Sequence, residues 1–246
     1  MSAAFKVIIP ARLGSTRLPA KMLADIAGQP LIQHVYAAAC RSQAQEVLIA
    51  TDDETIHAVV SGFGANVIMT SAAHQSGTDR LAEVAEILEW PDELIVVNVQ
   101  GDEMGLPPGL INQVAGILAS DDNAHMATLC ERITSEDDVS NPNVVKVVAT
   151  GNRHALYFSR APIPWHKADQ PQSYFRHIGI YAYRVGFLKT YSRLPRCALE
   201  QKESLEQLRA LDYGATILIE EACQPPGIGI DTTDDLERAR ELVSKM

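Results

Sequence analysis

Leu94-Ile95-Val96-Val97-Asn98-Val99 is the clearest strand signal in the chain, and Gln100-Gly101-Asp102-Glu103 follows it directly. A nearly continuous apolar run of this length suits a central parallel strand covered on both faces. Shorter runs of the same kind precede it. Phe5–Ile9, Glu46–Ala50 and Ala65–Met69 read as strands. Pro30–Cys40, Asp53–Val60 and Asp79–Leu88 read as helices, with Leu31, Val35 and Ala38 on one face of the first and Leu81, Val84, Ala85 and Leu88 on one face of the last. Pro30 suits a first helical turn. This alternation predicts a doubly wound α/β sheet with helices on both faces.

Beyond Leu118 the pattern loosens. Val144–Ala149, Ala155–Ser159 and Ile178–Tyr183 read as strands without clear helices between them, which points to a small antiparallel extension over roughly residues 125–200. Leu199–Leu211 reads as one helix, Thr216–Glu220 as a strand, and Thr233–Lys245 as a helix capped by Thr232 or Thr233. The polar, proline-containing stretch Trp165–Ser173 reads as a flexible loop. No repeat or linker divides the chain, so residues 1–246 are expected to form one domain.

Composition narrows the classes. The 246 residues are 46% hydrophobic and 21% charged, which excludes disordered, collagenous and disulfide-scaffold proteins. The formal charge of −10 argues against nucleic-acid or anionic-membrane partners, yet leaves room for a small anionic ligand at a locally cationic loop. Cys40, Cys130, Cys197 and Cys223 are widely spaced, contain no CxxC, and read as reduced thiols. No signal-peptide pattern and no apolar stretch near 18 residues is present, so a cytoplasmic protein is expected.

In open α/β sheets, ligands bind beyond the carboxyl ends of the strands. After the first strand, Pro10-Ala11-Arg12-Leu13-Gly14-Ser15-Thr16-Arg17-Leu18-Pro19-Ala20-Lys21 places Arg12, Arg17 and Lys21 among small hydrogen-bonding residues, a composition suited to polyphosphate. After the second, Asp52-Asp53 reads as a helix cap. After the fourth, Asp102 beside Gly101 is placed to hold a hard cation such as Mg²⁺, which takes one or two carboxylates plus substrate phosphates. Asp231, in Gly227–Asp234, reads either as a cap or as a second carboxylate of that site. His74–Arg80 and Arg176–Tyr181 are dense in hydrogen-bonding groups. His177 reads as a core histidine or as a ligand for an anionic or polyhydroxylated substrate, and Glu206-Gln207 as a solvated helix face or a substrate contact.

Taken in order, these strings resemble the 3-deoxy-manno-octulosonate cytidylyltransferase (CMP-Kdo synthetase) family. The matching strings are IPAR-x-x-STRLP-x-K (9–21), ATDDE (50–54), HQSGTDRLAEV (74–84), VNVQGDE (97–103), NPN-x-VKVV (141–148), LYFSRAPIPW (156–165), RHIGIYAYR (176–184), LEQLRAL (205–211) and IDT-x-DDLER (230–238). The resemblance implies a Rossmann-like nucleotidyltransferase, usually a homodimer, that joins CTP and the sugar acid Kdo into CMP-Kdo and pyrophosphate for lipopolysaccharide synthesis. By that resemblance Pro10, Ala11, Arg12, Ser15, Arg17 and Lys21 meet the nucleotide and its phosphates. Gln75, Ser76, Gly77 and Arg80 meet the cytidine, and Gln100 lies between nucleotide and sugar. Arg160, His177, Tyr181, Glu206 and Gln207 meet Kdo, and Asp102 and Asp231 hold Mg²⁺. Arg12, Lys21, Asp102 and Asp231 are then the catalytic set.

Departures from the family pattern fall at Met104-Gly105-Leu106, where a proline and two aliphatic residues are common, and at Ala20, Met22 and Lys202. They leave open the same chemistry on a related sugar acid, either amino-substituted Kdo or sialic acid. A catalytically silent nucleotide-binding homologue is the competing reading of a different class.

Overall fold

The computed structural model describes residues 4–14, 18–74, 76–167 and 173–244. In chain order the strands are β1 (Phe5–Ala11), β2 (Asp25–Ile26), β3 (Gln29–Pro30), β4 (Glu46–Thr51), β5 (Asn66–Met69), β6 (Ile95–Asn98), β7 (Glu103–Met104), β8 (Met126–Arg132), β9 (Lys146–Ala149), β10 (Ala155–Ser159), β11 (Phe175–Arg184), β12 (Ile217–Glu221) and β13 (Ile228–Gly229). The helices are α1 (Leu31–Cys40), α2 (Glu54–Gly62), α3 (Gly77–Ile87), α4 (Pro108–Ala119), α5 (Glu136–Ser140), α6 (Val185–Tyr191), α7 (Ala198–Glu203), α8 (Gln207–Asp212) and α9 (Thr233–Ser244).

β5, β4, β1 and β6 lie side by side and parallel. β11 then runs antiparallel to β6, and its other edge carries β8, which pairs in parallel with β12. The N-terminal end of β11 pairs with β9 of the β9–β10 hairpin. The result is the mixed, mostly parallel sheet with an antiparallel extension that the sequence predicts. Side chains alternate between two cores. Val7, Ile9, Ile49 and Val97 pack with α1 and α4 on one face. Ile8, Leu48 and Val96 pack with α3 and α6 on the other. Residues with both neighbours buried leave no polar face along β1 and β6, which is why those strands read as apolar runs.

Several boundaries differ from the sequence expectation. α3 begins at Gly77, because Ser76 Oγ accepts from the Asp79 N–H at 3.2 Å and caps the helix earlier. Asp53 caps α2 through the N–H groups of Thr55 and Ile56, and Thr232 caps α9 through the Asp235 N–H, both as read from sequence. The single helix expected over Leu199–Leu211 is two. Ser204 adopts φ 53°, which ends α7, and α8 restarts at Gln207. A non-glycine residue in the left-handed region stops helical propagation without any glycine to announce it. α4 and β8 carry no sequence expectation, although both are largely buried. The four cysteines are free thiols. Among the described residues no helix is long and apolar enough to cross a membrane.

Candidate active site

A cleft of about 510 Å³ opens over the carboxyl ends of β1 and β6. Of the residues singled out from sequence, Pro10, Ala11, Arg12, Lys21, Ser76, Gly77, Arg80, Gln100, Asp102, His177, Tyr181, Glu206, Gln207 and Asp231 all line it. Ser15, Arg17 and Gln75 lie outside the described residues, as do residues 168–172 of the expected loop.

The charged end is built by a two-residue ribbon. β7 pairs antiparallel with β13, with Ile228 opposite Met104 and Gly229 opposite Glu103. The Ile230 N–H then donates to Asp102 O at 3.0 Å. This ribbon brings Asp231 beside Asp102, although 129 positions separate them in the chain (231 − 102). The Met104-Gly105 departure belongs to it. Gly105 has φ +72°, and a Cβ on Gly227 would come within 2.3 Å of Met104 O, so the backbones touch where a side chain has no room.

Lys21, 6% exposed, sits between the two carboxylates, with Nζ 2.6 Å from Asp102 Oδ2 and 3.1 Å from Asp231 Oδ1. Burial, then the neighbouring Asp102 and Asp231 charges, push the Glu103 carboxyl up to about 7. Negative charge is therefore concentrated here, and a lysine ammonium already occupies the space between the aspartates. The donor set fits a hard divalent cation held by two carboxylates. Among the described residues no group of three or more His, Cys, Asp or Glu side chains forms a complete metal cage, so such a cation would take its remaining ligands from substrate.

Along the α3 wall, Arg80 is 3% exposed. It pairs with Asp52 at 3.1 Å and donates to the Thr70 hydroxyl. Asp52 and Asp53 thus divide their work: Asp53 caps a helix and Asp52 holds an arginine. Gly101 allows the β6 loop to pass close to β1; a Cβ there would lie 2.8 Å from Met22 Sδ and 3.0 Å from Pro10 O.

Among the described residues the opposite end carries no fixed cation in its lining. β11 shifts register between Ile178 and Tyr181, a bulge next to the site. The Thr128 hydroxyl lies within hydrogen-bond distance of Ile178 O, Ile180 O and His177 Nε2, at 3.1, 2.8 and 3.0 Å, and fastens this bulge. Desolvation lowers the His177 pKa to about 3, so its imidazole is neutral at physiological pH. A neutral ring suits a hydroxyl rather than an anion. Glu206 accepts from the Thr78 hydroxyl at 3.2 Å, and burial raises its pKa. Tyr191 Oη donates to Glu206 O at 2.7 Å. The break at Ser204 is what turns Leu205, Glu206 and Gln207 into the cleft instead of along a solvated face.

Arg160 is not in the cleft wall. Its guanidinium donates to Glu203 O at 2.7 Å and Pro142 O at 2.8 Å, while its N–H donates to Glu203 Oε2 at 2.9 Å. It clamps the turn before Ser204. Thr78, Asn98, Tyr183 and Tyr191 line the cleft without having been singled out. Thr78, Asn98 and Tyr183 fall within the quoted strings 74–84, 97–103 and 176–184, whereas Tyr191 falls in none of them.

Residues 6–217 match the cytidylyltransferase family. The 3-deoxy-manno-octulosonate cytidylyltransferase of Hahella chejuensis is 54% identical, with 99% of each chain covered. That of Vibrio parahaemolyticus is 53% identical, with 98% of each covered. A solved CMP:2-keto-3-deoxy-manno-octonic acid synthetase complexed with CTP superposes with a TM-score of 0.93 at 43% identity, covering 99% of both chains. A Leptospira borgpetersenii cytidylyltransferase, 16% identical with a TM-score of 0.66, shares the fold, covering 99% of this chain and 88% of its own. The chain belongs to the 3-deoxy-manno-octulosonate cytidylyltransferase family.

Proposed function

We propose that this protein transfers the cytidylyl group of CTP to 3-deoxy-manno-octulosonate, giving CMP-Kdo and pyrophosphate for lipopolysaccharide synthesis. The single observation that carries the reading is one cleft with two chemically different ends: Lys21, Asp102 and Asp231 at one, and His177, Tyr181, Glu206 and Gln207 at the other. The first suits a triphosphate and its cation; the second suits a polyhydroxylated acid. Relatives with this name match over nearly the whole chain.

In this reading the anomeric hydroxyl of Kdo attacks the α-phosphorus of CTP in line. A new phosphorus–oxygen bond forms, the α–β anhydride bond breaks, and pyrophosphate leaves. No covalent enzyme intermediate is needed, so the protein's contribution is positioning and charge neutralisation. Arg12 and Lys21 stabilise the leaving pyrophosphate, with Ser15 and Arg17 as further phosphate contacts. Ser76, Gly77 and Arg80, with Gln75, hold the cytidine, and Arg80 is kept in place by Asp52. Gln100 stands between nucleotide and sugar. His177, Tyr181, Glu206 and Gln207 orient the sugar, and Arg160 supports them through the turn at Ser204. Asp102 and Asp231 would hold Mg²⁺, which when bound neutralises phosphate charge. Lys21 must then exchange its two carboxylate contacts for phosphate ones.

We also propose a cytoplasmic homodimer in which residues 1–246 act as one domain. Support for the location comes from the intracellular nucleotide the reading requires, and for the dimer from the family resemblance. The test is pyrophosphate release from CTP and Mg²⁺ with Kdo, with amino-substituted Kdo and sialic acid in parallel. Release with Kdo in excess of the others is expected. Release with another acid alone moves the substrate, and silence throughout overturns the activity.

A further inference from the structure

Asn98 closes β6 at the floor of the cleft and is 2% exposed. Among the described residues its Oδ1 is buried without a hydrogen-bond partner, and the Tyr181 hydroxyl, buried as well, has the Thr128 side chain beside it. The two residues are opposed across the β6–β11 pairing. Other polar groups nearby are engaged. The Thr128 hydroxyl serves the β11 bulge, Thr78 donates to Glu206, and Tyr191 donates to Glu206 O.

A buried acceptor with no donor destabilises the free protein, whereas an apolar side chain of similar shape would be neutral or better. Val96, two positions earlier and so on the same face of β6, is the apolar solution to that environment. An amide at Asn98 therefore serves something other than folding. Its oxygen can only accept. Carboxylate and phosphate oxygens carry no proton to give it, so its partner is a hydroxyl or an amine. The residue facing it is Tyr181, and His177, beside Tyr181, is neutral.

We propose that Asn98 determines specificity for the sugar acid, its Oδ1 accepting a hydrogen bond from one substrate hydroxyl beside Tyr181. The inference rests on the function proposed above and adds a residue to its sugar subsite. The cytosine amine is the competing donor, and the nucleotide arm of the test distinguishes it.

The experiment compares full-length wild type with Asn98→Ala and Asn98→Leu, varying Kdo at saturating CTP and CTP at saturating Kdo. The loss of one hydrogen bond to a buried group predicts a rise of about tenfold in KM for Kdo. The CTP KM and kcat should stay within about twofold, and the melting temperature without ligand should be unchanged or higher. A merely structural residue would instead lower the melting temperature and move both KM values. Among Kdo analogues each lacking one hydroxyl, one should lose affinity for wild type yet be bound by Asn98→Ala as well as Kdo is. A Kdo KM within twofold of wild type in both variants overturns the proposal, as does an equal rise in the CTP KM or a drop in melting temperature with loss of both substrates. Wild-type turnover is measured first. Its absence overturns the functional reading and this inference together, whereas normal wild type with unshifted variants overturns this inference alone.

Discussion

At one end of the cleft the Lys21 ammonium lies 2.6 and 3.1 Å from two carboxylates; at the other, Asn98 faces Tyr181, and its Oδ1 has no hydrogen-bond partner among the described residues. The charged end balances itself in the absence of ligand, because an unpaired buried charge is far costlier than an unpaired neutral group. Binding there means exchanging partners. The neutral end leaves hydrogen-bonding capacity unspent, so binding there means filling it. In the proposed reaction, charge is thus set aside for the group that changes, and uncharged polarity for the group that must be told apart from its analogues.

A second charged site, away from the cleft, sharpens the contrast. Glu200 and Arg209 form a two-pronged pair at 2.8 and 2.6 Å, both buried, with the guanidinium stacked 4.6 Å from the Tyr191 ring. Neither residue lines the cleft, and the pair braces α7 against α8. Arg209→Ala should therefore cost about 3 kcal/mol of stability, measured by denaturant unfolding, by leaving buried Glu200 with the half-exposed Arg196, 3.6 Å away, in place of its two-pronged partner. Asp102→Asn should cost less in energy but fall wholly on the chemistry. Removing half of the phosphate-end charge pair predicts a loss of about 10²–10³ in kcat, with the melting temperature nearly intact; turnover near that of wild type would refute a metal role for Asp102.

His177 gives a smaller effect that depends on pH. Its folded pKa, about 3, lies below the ordinary histidine value of 6.5, so between those limits the unfolded chain binds more protons. Its contribution is fully present above pH 6.5 and is lost as pH falls toward 3. Wild type should lose stability between pH 7 and 5 faster than His177→Asn does, in denaturant titrations at each pH. Parallel curves would mean that the folded imidazole takes up its proton as readily as in the unfolded chain, contradicting the effect of burial. The smallest expected change is Thr78→Val, which removes the hydroxyl donated to Glu206. It should cost roughly 1 kcal/mol, about a fivefold rise in the Kdo KM with the CTP KM unchanged.

β1, β4 and β6 were legible because each is buried on both faces and reads as an apolar run; β5 was legible from its short apolar run although Asn66 and Met69 are exposed. The cationic segment after β1 and Asp102 were legible because they follow such runs. What escaped was set by contacts distant in sequence. β8 was missed although it is the strand whose Thr128 fastens the bulge presenting His177 and Tyr181. The proximity of Asp231 to Asp102 depends on a ribbon only two residues long, whose pattern is too short to read. The break at Ser204 has no glycine or asparagine to mark it, so Glu206 and Gln207 read equally well as solvated. Arg160 was assigned to the sugar by resemblance, but here backbone carbonyls of Pro142 and Glu203 hold its guanidinium.

Transfer of label from CTP tests the central claim most directly. With α-³²P-labelled CTP, Mg²⁺ and Kdo, the label should appear in a cytidylyl sugar, and with γ-³²P-labelled CTP it should appear only in pyrophosphate. Retention of the α-label in CTP, or its release as CMP without attachment to the sugar, would contradict in-line attack by the sugar hydroxyl and, with it, the two-ended reading of the cleft.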